Sequence, residues 1–362
     1  MQEDSAEFKL PPETPINPDA GRGNLLVINL QVAGKERPFV VDTGAGITCV
    51  AKSLAAKLGR PVGTVTYHQW GVVSTKKLYA MPAMYLGGTR LRSGTRVMAM
   101  DLDFISIVGG QPIEGIVGMD VLDNYCVQVD FAANKLRFLN DSLADKSAWG
   151  RAVPMMQLND SDWRPAVAGN LFGEEGPHSL IDSGYLGAGW LMPEHFAQWT
   201  NQAAAQAPDT ARSPDGGFFG EAYPDLVLNR ADVESDGIGV DFLARHLVTL
   251  DFPKQTLYLK RTSIGPLPNV GGSAVAFLKS LKDRGGLPGW FKDEHGTAKG
   301  VTQDKAANTV EVKAGKQGES AIYHYKVTRA SADGPWHLVK AWRTDAKGRM
   351  LEKFPVLKES RP

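Results

Sequence analysis

The sequence has little of several features that would indicate particular classes of protein. Only two cysteines, Cys49 and Cys126, occur in 362 residues, which is too few for a disulfide-rich scaffold or a zinc site. Both lie in apolar, strand-like sequence, which predicts buried free thiols, although a single disulfide also fits. No apolar run has the length that a helix needs to span a bilayer.

Net charge is also absent, because 40 Lys and Arg residues balance 40 Asp and Glu residues. The chain as a whole therefore gives no indication of a nucleic-acid partner. The charge is unevenly distributed, since residues 263–362 carry 17 basic and 10 acidic residues, which leaves a net charge of −7 on residues 1–262. Attraction between these two parts, or drift, explains this difference more simply than polyanion binding does.

Motifs of other hydrolases and of nucleotide-binding proteins are missing, including Gly-x-Ser-x-Gly, His-Glu-x-x-His and the phosphate-binding loop. The first residues show no basic segment followed by an apolar core, so no signal peptide is predicted. A polar start rich in Glu and Pro also fits a mature form with an added Met. The compartment stays open, with a secreted or periplasmic protein favoured over a cytoplasmic one.

The content of 43% apolar residues and 39 glycines is typical of a globular, strand-rich chain. Its most informative stretch is residues 39–46, where three apolar, strand-forming residues precede Asp42, Thr43 and Gly44. This order places a carboxylate at the end of a buried strand, where the chain turns. Gly44 allows a tight turn, and we expect the Thr43 hydroxyl to hydrogen-bond locally.

The same order returns at Asp182, Ser183 and Gly184, again after two aliphatic residues. A glycine-containing block follows each copy, at residues 115–122 and at residues 237–243. Glycines and aspartates in and after these blocks match at one spacing of 121 residues: Gly118 and Gly239, Asp120 and Asp241, Asp130 and Asp251. Two ordered pairs of motifs indicate an internal duplication. We expect Asp120 and Asp241 to cap the short helices that follow.

Residues 20–262 resemble the pepsin-type and retropepsin-like aspartic proteases that have two fused lobes. In that family each lobe supplies one Asp from an Asp-Thr/Ser-Gly turn, backed by two apolar residues and a glycine. Residues 116–118 match this second element, and residues 237–239 match it with Gly where an aliphatic residue is usual. The resemblance implies an all-β, bilobal fold with lobes at residues 1–148 and 149–262, related by a pseudo-twofold axis.

Residues 263–362 do not continue the repeat. A helix at residues 273–284 and three strands within residues 309–343 predict a small α+β accessory domain. His295, His324 and His337 lie in it without recognisable catalytic partners.

The resemblance further implies an aspartic endopeptidase that hydrolyses polypeptide substrates without a metal or a cofactor. Asp42 and Asp182 would be the catalytic pair, one carboxylate activating water and one carboxyl polarising the scissile carbonyl. Supporting residues would be Thr43, Gly44, Ser183 and Gly184. A flap closes over the substrate in this family, and Trp70 and Gly71 are the candidates for its tip.

Two departures from the family pattern leave alternatives open. Tyr185 follows the second Asp-Ser-Gly where a small residue is usual, and the second half is the shorter one. Both features fit a catalytically silent peptide-binding protein on the same scaffold. A homodimer of retropepsin-like units is a third alternative to the expected monomer.

Overall fold

The structure is a computed structural model, and it describes a defined set of residues: 9–69, 72–109, 111–140, 145–159, 162–173, 178–203, 210–213, 216–224, 226–267, 274–275, 277–278, 281–282, 286–289, 291, 298–304, 308–315, 320–330 and 336–356. Strands dominate within these residues, and the helices are short. The predicted all-β class is confirmed.

The described residues fall into two compact units. The first contains those within 1–21, 25–100 and 114–267, and the second contains those within 22–24, 101–113 and 268–362. The predicted boundaries after residues 148 and 262 remain predictions. None of the helices in the described part of the chain is long and apolar enough to cross a membrane.

The N-terminal half of the first unit ends at residue 140. The strands up to this point are β1 (Thr14–Pro15), β2 (Val27–Val32), β3 (Lys35–Val41), β4 (Cys49–Ala51), β5 (Gly63–Gln69), β6 (Val72–Ala80), β7 (Met84–Leu86), β8 (Thr89–Arg90), β9 (Arg96–Met100), β10 (Gly115–Val117), β11 (Cys126–Asp130) and β12 (Lys135–Leu139). The helices are α1 (Lys52–Ala55), α2 (Asp103–Gly109), which belongs to the second unit, and α3 (Met119–Leu122).

The C-terminal half of the first unit begins at residue 145. Its strands are β13 (Arg151–Pro154), β14 (Met156–Asn159), β15 (Asp162–Ala168), β16 (His178–Asp182), β17 (Gly189–Leu191), β18 (Thr210–Ser213), β19 (Gly216–Phe218), β20 (Glu221–Tyr223), β21 (Leu226–Arg230), β22 (Asp236–Gly239), β23 (His246–Asp251) and β24 (Thr256–Arg261). The helices are α4 (Pro193–Thr200) and α5 (Val240–Leu243), with 3-10 turns at Lys146–Trp149 and Phe252–Lys254.

Each half of the first unit has its own large sheet, and a further sheet joins the halves. The N-terminal sheet has the order β5-β6-β9-β4-β10-β3-β2-β7-β8, and the C-terminal sheet has the order β14-β15-β16-β22-β17-β21-β18. The joining sheet has the order β1-β12-β11-β23-β24-β13, and β19 pairs with β20 in a separate hairpin. Because β11 and β23 are antiparallel neighbours, the two halves share one continuous apolar core.

The two large sheets have the same arrangement of a central strand, a parallel neighbour and a short helix. Strand β3 is central and lies parallel to β10, and β16 is central and lies parallel to β22. In both central strands the two aliphatic residues that precede the aspartate are buried. A short helix then follows each parallel partner strand. Gly118 and Gly239 are the N-cap residues of these helices, and neither helix has a side-chain cap. The predicted capping by Asp120 and Asp241 was therefore wrong.

The residue opposite Gly237 explains why a glycine stands where an aliphatic residue is usual. In the N-terminal half, Ile116 lies directly opposite the small residue Cys49. In the C-terminal half, Gly237 lies directly opposite Trp190, and a Cβ on Gly237 would lie 2.1 Å from the indole. The large residue of the pair thus lies on β10 in the N-terminal half but on β17 in the C-terminal half, opposite a small residue each time. Each pair therefore fills the space between its two strands.

We expect the Trp190–Gly237 pair to show strong coupling in a double-mutant cycle. Gly237→Ile alone should lower the free energy of unfolding by about 2–3 kcal/mol, because the new side chain overlaps the indole. Trp190→Val alone should also destabilise, because it leaves a cavity. The double variant should be more stable than the sum of the single effects, as measured by denaturant unfolding. Additive effects would contradict the size exchange.

The second unit contains an antiparallel sheet of consecutive strands: β25 (Ala298–Asp304), β26 (Thr309–Gly315), β27 (Ile322–Thr328), β28 (His337–Thr344) and β29 (Met350–Phe354). The described residues between 274 and 282 are helical, and Ala274 and Leu278 pack into the core of this sheet. Helix α2 contacts β25 and β26.

The expected α+β character of the second unit is present, with two strands beyond the three predicted. His324 was expected to have no partner, yet its Nδ1 lies 2.8 Å from Glu311 and its Nε2 lies 2.9 Å from Thr344. His337 is exposed, and His295 lies outside the described residues.

Candidate active site

Asp42 and Asp182 occupy equivalent places in the two halves. Asp42 directly follows β3, and Asp182 is the last residue of β16. In both halves the chain turns at once, since the N–H of Ala45 donates to the Asp42 carbonyl and that of Tyr185 to the Asp182 carbonyl, each at 3.3 Å. The predicted strand-end carboxylates therefore exist in both copies.

The structure brings the two carboxyls close together, and each influences the pKa of the other. Gly44 donates its N–H to Asp42 Oδ1 at 2.8 Å, and Gly184 donates its N–H to Asp182 Oδ1 at 2.9 Å. A Cβ on Gly44 would lie 2.4 Å from Asp182 Cγ, and a Cβ on Gly184 would lie 2.4 Å from Asp42 Cγ. Each turn glycine thus lies against the opposite carboxyl, where no larger residue fits.

Thr43 and Ser183 link the two turns by four reciprocal hydrogen bonds. The Thr43 hydroxyl donates to the Ile181 carbonyl at 2.6 Å and accepts from the Ser183 N–H at 3.0 Å. The Ser183 hydroxyl donates to the Val41 carbonyl at 2.8 Å and accepts from the Thr43 N–H at 3.1 Å. The prediction of a local Thr43 bond was wrong, because both hydroxyls are buried between the turns and bond across.

Burial and proximity together disfavour two charges at this site. Asp42 and Asp182 are partly exposed, yet the surrounding protein removes enough water to raise the pKa of both carboxyls. The pKa of Asp182 is raised well above its ordinary value, by burial first and then by the charge of Asp42 and the hydrogen bond with it. Because a second charge is disfavoured next to the first, we expect the pair to share one proton over part of the pH range.

Arg164 is a neighbour of this pair that the sequence reasoning missed. It lies on β15, and its Nη1 donates to the Gly44 carbonyl at 3.0 Å. Its charge opposes the rise in the pKa of Asp42 and of Asp182. The strand registers make Leu25 its counterpart in the N-terminal half, so the cation breaks the symmetry of the site. No local motif reveals this contact, which joins residues 120 positions apart.

The flap candidates Trp70 and Gly71 lie outside the described residues. They fall between β5 and β6, which pair as an antiparallel hairpin. Tyr67, on β5, was also missed. Burial raises the pKa of its phenol, and the charges of Asp42 and Asp182 raise it further. Tyr67 therefore lies within electrostatic reach of the carboxyl pair.

Tyr185 packs within the C-terminal half. Its ring packs edge-on against Trp190, with centroids 4.6 Å apart, and its hydroxyl accepts a hydrogen bond from Asn229. Burial raises the pKa of Tyr185 to about 12. Gly239 permits this packing, because a Cβ there would lie 2.7 Å from the Tyr185 ring. The departure at Tyr185 is thus accommodated by packing in its own half.

Other polar residues near the turns have structural contacts. Asp120 accepts hydrogen bonds from the N–H and the hydroxyl of Thr48, at 2.8 and 2.6 Å. Cys49 and Cys126 are buried free thiols, and burial raises the pKa of Cys49. The described residues contain no group of three or more His, Cys, Asp or Glu side chains placed to hold a metal ion.

Residues 28–121 match the family model of the aspartyl proteases, "Aspartyl protease". The chain contains an aspartyl protease-like domain. The matched part of this domain includes the Asp42 turn and the Ile116–Gly118 block, whereas Asp182 lies beyond the matched residues. A comparison with curated proteins gives no match.

Proposed function

We propose that this protein is an aspartic endopeptidase in which Asp42 and Asp182 activate one water molecule against a peptide carbonyl. One observation supports the proposal above all others. The carboxyls of two residues 140 positions apart lie close together, because a glycine from the opposite turn lies against each of them. A structural role alone does not require two partly exposed carboxyls in contact.

The proposed chemistry needs an acid and a base that act on the same water. The pair holds one proton, so the ionised carboxylate accepts a proton from water as it attacks the carbonyl carbon. The protonated carboxyl donates its proton to the carbonyl oxygen, and a tetrahedral intermediate forms. As this intermediate collapses, the carboxyl that took the water proton gives it to the leaving amine, and the other carboxylate takes a proton from the hydroxyl that becomes the new carbonyl. The peptide bond breaks, and the pair again holds one proton.

The fold supports a single-chain, bilobal form of this enzyme. Each half contributes one aspartate from the end of a central strand beside a parallel neighbour. The Thr43 and Ser183 bonds hold the two turns together within one chain. We therefore propose that the halves arose by internal duplication and that the monomer acts on polypeptide substrates without a second subunit.

Digestion of a denatured protein tests the proposal. We expect cleavage only where the pair holds one proton, and assays from about pH 3 to about pH 7 should locate that range. A peptide inhibitor with a tetrahedral hydroxyl in place of the scissile carbonyl should block it, because it mimics the transition state. Binding of that inhibitor without cleavage at any pH would instead support the peptide-binding alternative.

The position of Arg164 leads to a prediction about pH dependence. Its charge lowers the pKa of both carboxyls, so Arg164→Met should raise both and move both limbs of the pH–kcat/KM profile to higher pH. Arg164→Lys keeps the charge and serves as the matched control, with limbs close to those of the parent. An unchanged profile in Arg164→Met would show that the guanidinium does not influence the pair.

A further inference from the structure

One face of the five-stranded sheet in the second unit forms the core of that unit. The row Val312, Tyr325, Ala341 and Phe354 crosses four strands on this face. Successive residues of a strand point to opposite faces. The row one position along therefore lies on the other face, and it consists of Lys313, His324, Trp342 and Lys353.

A second row on this other face adds two more lysines. Glu311 lies opposite Lys326, and Lys326 lies directly opposite Lys340. Two like charges directly opposite each other destabilise a sheet. The carboxylate of Glu311, in this row, lies 2.8 Å from His324. Burial raises the pKa of Glu311, but the bond to His324 and the charges of Lys313 and Lys326 lower it overall. The face therefore carries an excess of positive charge.

Exposed apolar side chains lie beside these lysines. Met350 pairs with Thr344, whose hydroxyl reaches His324 on the same face. Met350 is 47% exposed. Leu351 is the extra residue where the pairing of β28 with β29 shifts register, so the regular alternation does not apply to it, and it is 53% exposed. Trp342 lies in the first row between His324 and Lys353, and it stacks on His324 with centroids 4.9 Å apart. Large apolar side chains exposed next to a charged rim are a feature of interaction surfaces.

We propose that this lysine face, defined by Lys313, Lys326, Lys340, Trp342, Met350 and Lys353, docks onto an anionic lipid surface. Lysines are attracted by anionic headgroups, Trp rings prefer the headgroup level, and Met and Leu side chains enter the acyl boundary. A single-stranded nucleic acid fits less well, because the Trp342 ring that would stack on a base is already engaged by His324 and by the Lys340 ammonium, 4.6 Å from its centroid.

Co-sedimentation of the full chain with lipid vesicles tests this docking. We expect binding to phosphatidylcholine vesicles that contain about 30% phosphatidylserine, little binding to pure phosphatidylcholine, and loss of binding as salt rises from about 0.1 M to about 0.5 M. Parallel titrations use a single-stranded oligonucleotide and poly-glutamate. Equal binding to both kinds of vesicle would overturn the proposal, as would tighter binding to either soluble polyanion.

Two double variants separate the charged and apolar contributions. Lys340→Glu/Lys353→Glu should weaken vesicle binding by more than about thirtyfold, since each lysine contributes about fivefold. Met350→Ser/Leu351→Ser should weaken binding at every salt concentration. Because all four side chains are exposed, we expect unchanged melting temperatures, and Lys340→Gln/Lys353→Gln repeats the charge test without introducing acids.

The matched control is Lys35→Glu/Lys57→Glu, which makes the same change in net charge at two exposed lysines of the first unit. It should keep most of the vesicle binding. If it weakens binding as much as Lys340→Glu/Lys353→Glu does, net charge rather than this face is responsible and the proposal fails. The test is independent of peptidase activity.

Discussion

Asp42→Asn and Asp182→Asn should each lower peptidase kcat by at least about a thousandfold while leaving the fold intact, because general acid–base catalysis contributes up to about ten-thousandfold and neither variant keeps both partners. The amide has the shape of the carboxyl and still accepts the turn N–H, from Gly44 or from Gly184. What it removes is the shared proton. Cleavage of a denatured protein, measured across the pH range of the parent, gives the rates.

The same variants should differ from the parent in their thermal stability, with a sign that depends on pH. Burial raises the pKa of both carboxyls in the folded state. A raised pKa means that the folded state loses stability as pH rises above the ordinary carboxyl pKa of about 4. An amide does not ionise, so both variants should melt above the parent near neutral pH, and this advantage should vanish near pH 3.

Asp232→Asn is the matched control for these variants, because it makes the same substitution at an exposed site. It should keep full activity and the melting temperature of the parent. Full activity in Asp42→Asn or Asp182→Asn would remove the basis of the proposed catalytic pair. An inactive parent that still binds the tetrahedral inhibitor would support the peptide-binding alternative instead.

Thr43→Val should lower the free energy of unfolding by about 3–5 kcal/mol. The substitution keeps the volume of the side chain but removes the hydroxyl that donates to the Ile181 carbonyl and accepts from the Ser183 N–H. Thr43 is 1% exposed, so water cannot replace these bonds. Each buried backbone group left without a partner costs about 1–3 kcal/mol. Denaturant unfolding measures the loss.

Thr43→Ser retains the hydroxyl and is the matched control, with a loss of less than about 1.5 kcal/mol from the missing methyl group. Ser183→Ala should resemble Thr43→Val, since the Ser183 hydroxyl makes the reciprocal bonds to Val41 and Thr43. Activity should fall in both hydroxyl-free variants, because the two turns then no longer hold the carboxyls in the relative position that catalysis needs. If Thr43→Val were as stable as Thr43→Ser, the bonds across the turns would not hold the halves together.

The local order of the site can be predicted from the sequence. An apolar run followed by an acid, a hydroxyl residue and Gly specifies a buried strand that ends in a turn, because β-propensity and the freedom of glycine act over a few residues. Residues 39–44 and 180–184 both follow this rule. The ordered recurrence of such blocks also indicates two similar halves before any contact is known.

The meeting of the two turns depends on the tertiary structure. The antiparallel pairing of β11 with β23 joins the halves, and only then do Thr43 and Ser183 lie close enough to exchange hydrogen bonds. The sequence therefore predicted a local bond for Thr43, since it contains no information about a backbone 138 residues away. Arg164 and Tyr67 were missed for the same reason.

The residues that depart from the family pattern show the same difference between what the sequence and what the tertiary structure reveals. Gly237 and Tyr185 are visible in the sequence as unusual residues, and Tyr185, with the shorter second half, favoured an impaired site. The register that places Gly237 opposite Trp190 and the packing of Tyr185 on that indole show that they fill space in their own half. The sequence by itself determined which residues end the two central strands, because turn chemistry is local. The tertiary structure alone decided which carboxyls, hydroxyls and cations meet, because those contacts depend on how distant strands pair.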